Sequence, residues 1–326
     1  MSRINVLGET LAGMAAAARL AKLGHEVTLI SDPAAEAELA CTPPLPELLM
    51  LPAAWRDLFK KSGRPLEAEL ARAGWQLRAV PSREVPTSHG TFVLPTDRGE
   101  QFVAIREAFG TEYATSWRDL LDGLGQIWQA RRLSGMEAEL QPEHLAEMSS
   151  TWWWHTTVAE VATAVDHRVL SPLVLASAQD DDPEHSPAAD TMWLNVERTF
   201  GLWQVTDSVG IPVGNQALIT ALRTRLETRG VRRADEPPAH ADATVVAYGE
   251  IPRRKGLLGR RRPVPWHQRT GPRFEGRYTC GRHTTAGSNV TGQLLSAALA
   301  TYAVHLDLTG VNVHPSNREL SISRLG

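Results

Sequence analysis

Six residues near the start of the chain, Gly8-Glu9-Thr10-Leu11-Ala12-Gly13, have the spacing of a turn that presents a helix N-terminus to a pyrophosphate. The chemistry needs unpaired backbone N–H groups and a close approach of phosphate to backbone, which is why glycine is usual at three places. Here the middle one is Thr10. Its side chain stands in the way of a close approach, although its hydroxyl can donate to phosphate. The alternative is a packing motif in which Gly8 and Gly13 serve only helix–strand contact. In such units an acidic residue ending the second strand holds the ribose hydroxyls. That place falls on Ser31, with Asp32 one residue late, so a ribose contact needs a shifted strand end. Carboxylates and an imidazole also gather in Asp180-Asp181-Asp182, Glu184 and His185. No second ligand group has matching spacing, so a solvated loop is expected there and no metal site.

The elements around the first motif are those it needs. Ile4-Asn5-Val6-Leu7 reads as a strand, 11–23 as a helix, and Val27-Thr28-Leu29-Ile30 as the next strand after the turn at Gly24. Residues 33–46 read as a loop, and 51–59 and 67–73 as short helices. Residues 90–95 read as a strand. Tyr113, Trp117, Leu120, Leu121, Leu124 and Trp128 recur at helical spacing behind Thr111, a candidate cap. Residues 143–178 are helical in character, and 179–187 form a loop. The α/β pattern then returns: a helix over 214–229, a strand from Val231, a buried strand over 243–249, a basic loop over 253–273, a strand over 278–281 and an apolar helix over 292–306.

Composition removes several classes of function. With a formal net charge of −3 at pH 7 there is no field to gather nucleic acid. Cys41 and Cys280 give no disulfide framework and no metal spacing, which suits a reducing, cytoplasmic setting. The chain enters a strand at once with no leader-like segment, and no apolar run is long enough to span a bilayer. The segments Arg253-Arg254-Lys255 and Arg260-Arg261-Arg262, with Leu257, Leu258 and Trp266, either touch anionic lipid or a partner or form an ordinary exposed charged loop.

Five segments in order resemble the phytoene desaturase and flavin amine oxidase superfamily, the desaturase branch most closely. They are the fingerprint from Val6 to Ile30; Leu49-Met50-Leu51-Pro52 through Phe59 to Gly63; His89-Gly90-Thr91-Phe92-Val93-Leu94-Pro95-Thr96-Asp97; Ile211-Pro212-Val213-Gly214-Asn215-Gln216-Ala217-Leu218 after Phe200-Gly201-Leu202-Trp203; and Gly281-Arg282-His283-Thr284-Thr285-Ala286-Gly287-Ser288-Asn289-Val290-Thr291-Gly292. The resemblance implies an α/β fold: a discontinuous, Rossmann-like (ββα) FAD/NAD(P)-binding domain of residues 1–84 and 211–326, with a mostly helical substrate domain, 85–210, inserted. It implies FAD, with Gly8, Thr10, Gly13, Ser31 and Asp32 at the adenosine end. Val231 then meets adenine, and Gly281, Arg282, Gly287 and Gly292 lie along the rest of the cofactor. Arg282 is matched to a pyrophosphate that Thr10 holds less well, or else is a surface ion pair.

The departures converge on the same ligand. Val213 and Arg282 stand at altered motif positions, Asn289 and Thr291 replace glycine and proline, and the usual Arg-x-Gly-Gly segment is absent from 33–42. Too few residues separate Val231 from Ala243 for the family's β-meander. Amine-oxidising relatives carry a lysine near the flavin, and this chain has none between Ser62 and Arg254. Trp152, Trp153, Trp154, Trp193 and Trp203 either line an apolar tunnel or pack a core. Catalytic residues are not named by the sequence. Two functions follow: an FAD-dependent oxidoreductase resembling phytoene desaturases, taking hydride from an apolar small molecule; or a degenerate relative with weak or no FAD binding. The second would act as a binding or partner subunit, beside a protein partner or a second copy of itself.

Overall fold

The computed structural model describes residues 1–40, 45–88, 90–132, 136, 152–178, 182–249, 273–274, 277–284, 286–287 and 289–314. Cys41, residues 143–151 and 179–181, and the basic segments at 253–262 lie outside them. The chain opens with β1 (Arg3–Leu7), α1 (Leu11–Lys22), β2 (Glu26–Ile30), α2 (Pro33–Ala40), β3 (Leu49–Met50), α3 (Ala53–Ser62) and α4 (Leu66–Arg72). Then follow β4 (Trp75–Val80), β5 (Ser82–Thr87), β6 (Gly90–Pro95), α5 (Arg98–Phe109), α6 (Thr111–Arg131), α7 (Trp152–His155), α8 (Val158–Val165), α9 (Leu170–Leu175) and α10 (Met192–Phe200). The last stretch is β7 (Leu202–Asp207), α11 (Gln216–Thr228), β8 (Arg232–Ala234), β9 (Ala243–Val246), β10 (Arg273–Phe274), β11 (Arg277–Thr279) and α12 (Val290–Thr309).

The main sheet has six strands in the order β10-β11-β9-β1-β2-β8, all parallel except the β10–β11 pair. Counted along the chain, the five parallel strands run 3-2-1-4-5, the doubly wound dinucleotide-fold order. One face is set by alternation and register: Ile4 and Val6 face the same way as Val27 and Leu29 on one side and Ala243 and Val245 on the other. That face packs into the same core as α1, whose Ala15, Ala16, Ala17 and Ala18 are fully buried. Their small side chains let α1 approach the sheet while also packing against α3, α11 and α12. Where β2 begins, His25 meets His305 of α12 across the core, Nε2 to Nδ1 at 2.9 Å.

Two smaller sheets lie outside this layer: an antiparallel sheet in the order β3-β7-β4, and the β5–β6 hairpin. A second core then forms among α5, α6, α8, α9 and α10, with Leu51, Val85 and Leu94 joining it. The indole of Trp117 donates to Gln101 Oε1 at 3.0 Å, tying α6 to α5, and Asn195 Nδ2 donates to the Leu121 carbonyl at 2.8 Å, tying α10 to α6. Trp153 and Trp193 are buried in this core, Trp193 against Trp128. Trp203 instead packs on the first core beneath the guanidinium of Arg56.

Several expectations change. Residues 33–40 are a helix, not a loop: Asp32 Oδ1 accepts from Ala34 N at 2.8 Å, and Pro33 occupies the first helical position, where its missing N–H costs nothing. Thr111 is the first residue of α6, not its cap, which is Gly110. The strands β4 and β5 and the helix α5 are additions to the expected elements. Val231 precedes β8 rather than starting it, and its N–H bonds to the Leu226 carbonyl at the end of α11. Between β8 and β9, residues 235–242 contain no strand.

Candidate functional site

In a doubly wound sheet the ligand crevice lies beyond the strand ends where the strand order reverses, here between β1 and β9. The register Leu7–Val246 sets Gly8 beside Ala247, whose N–H donates to the Leu7 carbonyl at 2.9 Å. Gly8, Thr10, Gly13 and Asp32 gather at this place, and each is already used by the protein.

Gly8 has φ +100°, a conformation that favours glycine. A Cβ there would lie 2.8 Å from Cδ1 of Tyr248 and 3.0 Å from the Ala35 methyl, so the glycine admits the Tyr248 ring against the backbone. The Tyr248 hydroxyl donates to Asp32 Oδ2 at 2.7 Å. With its other oxygen capping α2, Asp32 has both oxygens engaged within the chain. Burial, then the hydrogen bond to Asp32 and its charge, push the Tyr248 phenol up to about 12. Tyr248 is the residue at this crevice that sequence reasoning missed. An aromatic side chain directly after a buried strand at the reversal point was the available signal.

Thr10 is buried and points inward. Its hydroxyl donates to the Ala247 carbonyl at 2.9 Å and accepts from Gly13 N at 3.1 Å, which makes it the N-cap of α1. One of the amides a phosphate would need is therefore satisfied internally, and the Gly8 N–H is bonded to the Ile30 carbonyl. Gly13 serves close packing: a Cβ would stand 2.0 Å from the Gly8 carbonyl oxygen. Ser31 N continues the sheet by donating to the Ala234 carbonyl at 3.0 Å. At the mouth, Glu9 pairs with Arg233 at 3.3 Å and Arg223 at 3.7 Å; these half-exposed contacts each contribute about 0–1 kcal/mol.

The second motif closes on the same point. A Cβ on Gly281 would lie 2.9 Å from the Ala247 carbonyl oxygen that Thr10 already uses, and Gly281 N donates to Ser296 Oγ at 2.9 Å. Thr284 and Gly287 continue as tight turns. Gly292 has the Ala286 and Gly287 carbonyls within 2.4 and 2.5 Å of any added Cβ, and Asn289 caps α12 by accepting from Gly292 N at 2.8 Å. Both helix N-termini that the motifs would turn toward a cofactor are thus capped by side chains of the chain itself. Arg282 is buried, so it is not a surface side chain. Among the described residues no group of three or more His, Cys, Asp or Glu is placed to hold a metal ion; Asp182 and His185 form a pair at 2.7 Å. Among them, too, no helix is long and apolar enough to cross a membrane.

No protein-family model matches the chain, and no curated protein matches it by sequence. Among solved structures it is similar to a Rab GDI from Plasmodium falciparum, at 9% identity and a TM-score of 0.37 over 76% of this chain and 65% of that one. It is also similar to an oxidoreductase from Methanosarcina mazei, at 16% identity and a TM-score of 0.35 over 76% of this chain and 59% of that one. The chain thus matches less than two thirds of either structure. The class it belongs to, a mixed α/β protein with a doubly wound parallel sheet, is defined by its own strand order and connections.

Proposed function

We propose that this chain keeps a flavin-type dinucleotide fold without flavin chemistry, and that it works by binding, as a partner or binding subunit. The observation that carries this reading is the Tyr248 ring seated on Gly8 with its hydroxyl on Asp32. A pyrophosphate needs the space the ring fills, and a ribose needs the carboxylate the hydroxyl holds. The crevice as it stands does not fit FAD. The turn between β7 and α11 supports a binding role. It exposes Val209, Ile211 and Val213 while Asp207 Oδ1 fixes it by accepting from Val209 N at 3.0 Å and Ile211 N at 2.8 Å.

The second reading is an FAD-dependent oxidoreductase of the desaturase kind, favoured by the strand order and by the glycine turn lying at the point of reversal. It requires Tyr248 to leave Gly8. The two are separated by incubating purified protein with excess FAD, desalting, and recording the visible spectrum. The expected result is colourless protein with no retained flavin absorbance; yellow protein with stoichiometric FAD overturns the first reading.

A further inference from the structure

We propose that Tyr248 is the residue that sets the dinucleotide affinity of this crevice: it stands in for the ligand, its ring on the Gly8 turn and its hydroxyl on the acceptor of a ribose hydroxyl. The inference rests on the flavin-free reading and deepens it by naming the excluding group.

Three observations single out Tyr248 rather than the missing fingerprint glycine. The Thr10 side chain is turned away from the crevice, bonded to the Ala247 carbonyl and to Gly13 N, so its removal uncaps α1 without clearing a path. The Tyr248 ring, by contrast, lies against Gly8 itself, on the one surface in the turn that has no side chain. The hydroxyl of Tyr248 also engages Asp32, the acidic side chain one residue past the usual ribose place at the end of β2, and that bond holds its carboxylate beside the Gly8 turn. Position and chemistry therefore coincide: the ring covers the turn that a pyrophosphate would approach, and the hydroxyl occupies a carboxylate oxygen beside it. Another phenol–carboxylate pair lacks this placement: the Tyr278 hydroxyl donates to Asp307 of α12.

The test is isothermal titration of FAD, and separately of ADP, into four proteins: wild type, Tyr248→Ala, Tyr248→Phe and Thr10→Gly. Tyr248→Ala is expected to bind both probes at least about tenfold more tightly than wild type. Tyr248→Phe keeps the ring and frees Asp32, so a smaller gain is expected; Thr10→Gly is expected to gain nothing and to melt at lower temperature. Should Tyr248→Ala not melt cooperatively, Tyr248→Phe decides. Equality of the folded Tyr248 variants with wild type overturns the proposal, as does a gain from Thr10→Gly alone. FAD retained by wild type and held tenfold more tightly by Tyr248→Ala supports the proposal while overturning the flavin-free reading. A colourless wild type whose Tyr248 variants gain nothing does the reverse.

Discussion

The Tyr248 phenol is held by a carboxylate in a half-buried place, so the charged phenolate would face both lost solvation and a neighbouring negative charge. Both effects act in one direction, and the phenol titrates near 12 rather than at its ordinary 10.0. The difference between ultraviolet absorbance titrations of wild type and Tyr248→Phe should show the lost phenol ionising near 12. Asp32→Asn keeps the cap on α2 but removes the charge, and should bring that tyrosine back toward 10. A lost phenol that ionises at its ordinary 10.0 would show that the hydroxyl is not engaged. The fingerprint glycines were legible in the sequence because their reasons are local: a positive φ at Gly8 and a helix–strand approach at Gly13. Thr10 was only half legible, since a phosphate donor and an N-cap look alike at a helix start. Tyr248 was not legible, because its role depends on the register that sets β9 beside β1, and no spacing within the sequence reports that.

The helix α11 is fastened by a guanidinium rather than by apolar packing alone. Arg225 is buried and donates to the carbonyls of Phe59 and Arg64 at 3.0 Å each, to Ser62 Oγ at 3.1 Å and to the buried carboxylate of Glu69. Arg229 adds a bond to the Ser62 carbonyl at 2.6 Å. Gly63 leaves the room, since a Cβ there would lie 2.3 Å from the Arg229 guanidinium. Removing one partner of a buried pair strands the other, so Arg225→Met should cost about 3–5 kcal/mol in urea unfolding. Glu67→Gln, which breaks the exposed Arg56 pair, should cost about 0–1 kcal/mol. Equal losses would mean that the buried network contributes no more than surface charge. The long helices α1, α6, α11 and α12 were readable from their apolar patterns, whereas the cap expected of α6 at Thr111 falls on Gly110. Other elements were hidden by misleading local cues: α2 by its prolines, although Asp32-Pro33 is a helix start, and α5 by charged residues that leave its apolar stripe weak. The alternation of Trp75, Leu77 and Ala79 in β4 was present and unread, because its partner β7 lies more than a hundred residues away.

The two ends of the chain are joined through imidazoles. His25 and His305 share a hydrogen bond in the core, and burial, aided for His25 by its partner, lowers both below the ordinary 6.5. His167 shifts the same way, and its Nδ1 accepts from Val169 N and Leu170 N at the start of α9, a bond that protonation abolishes. In each case the unfolded chain binds the proton first as pH falls. The stabilisation is therefore complete above about pH 6.5 and lost progressively below it. Thermal melts from about pH 7 down to about pH 5 should show a falling midpoint, and His25→Gln/His305→Gln should flatten the slope; an unchanged slope would show that the pair does not titrate in this range. The same pair spans 280 residues of sequence, and β1 lies between β2 and a strand that begins at Ala243. Translation at about 5–20 residues per second leaves roughly 15 to 60 s between the emergence of α1 and of the helix that covers it. For that interval the side of this alanine-rich helix that α12 will cover waits on the ribosome, with α3 able to shield only part of α1.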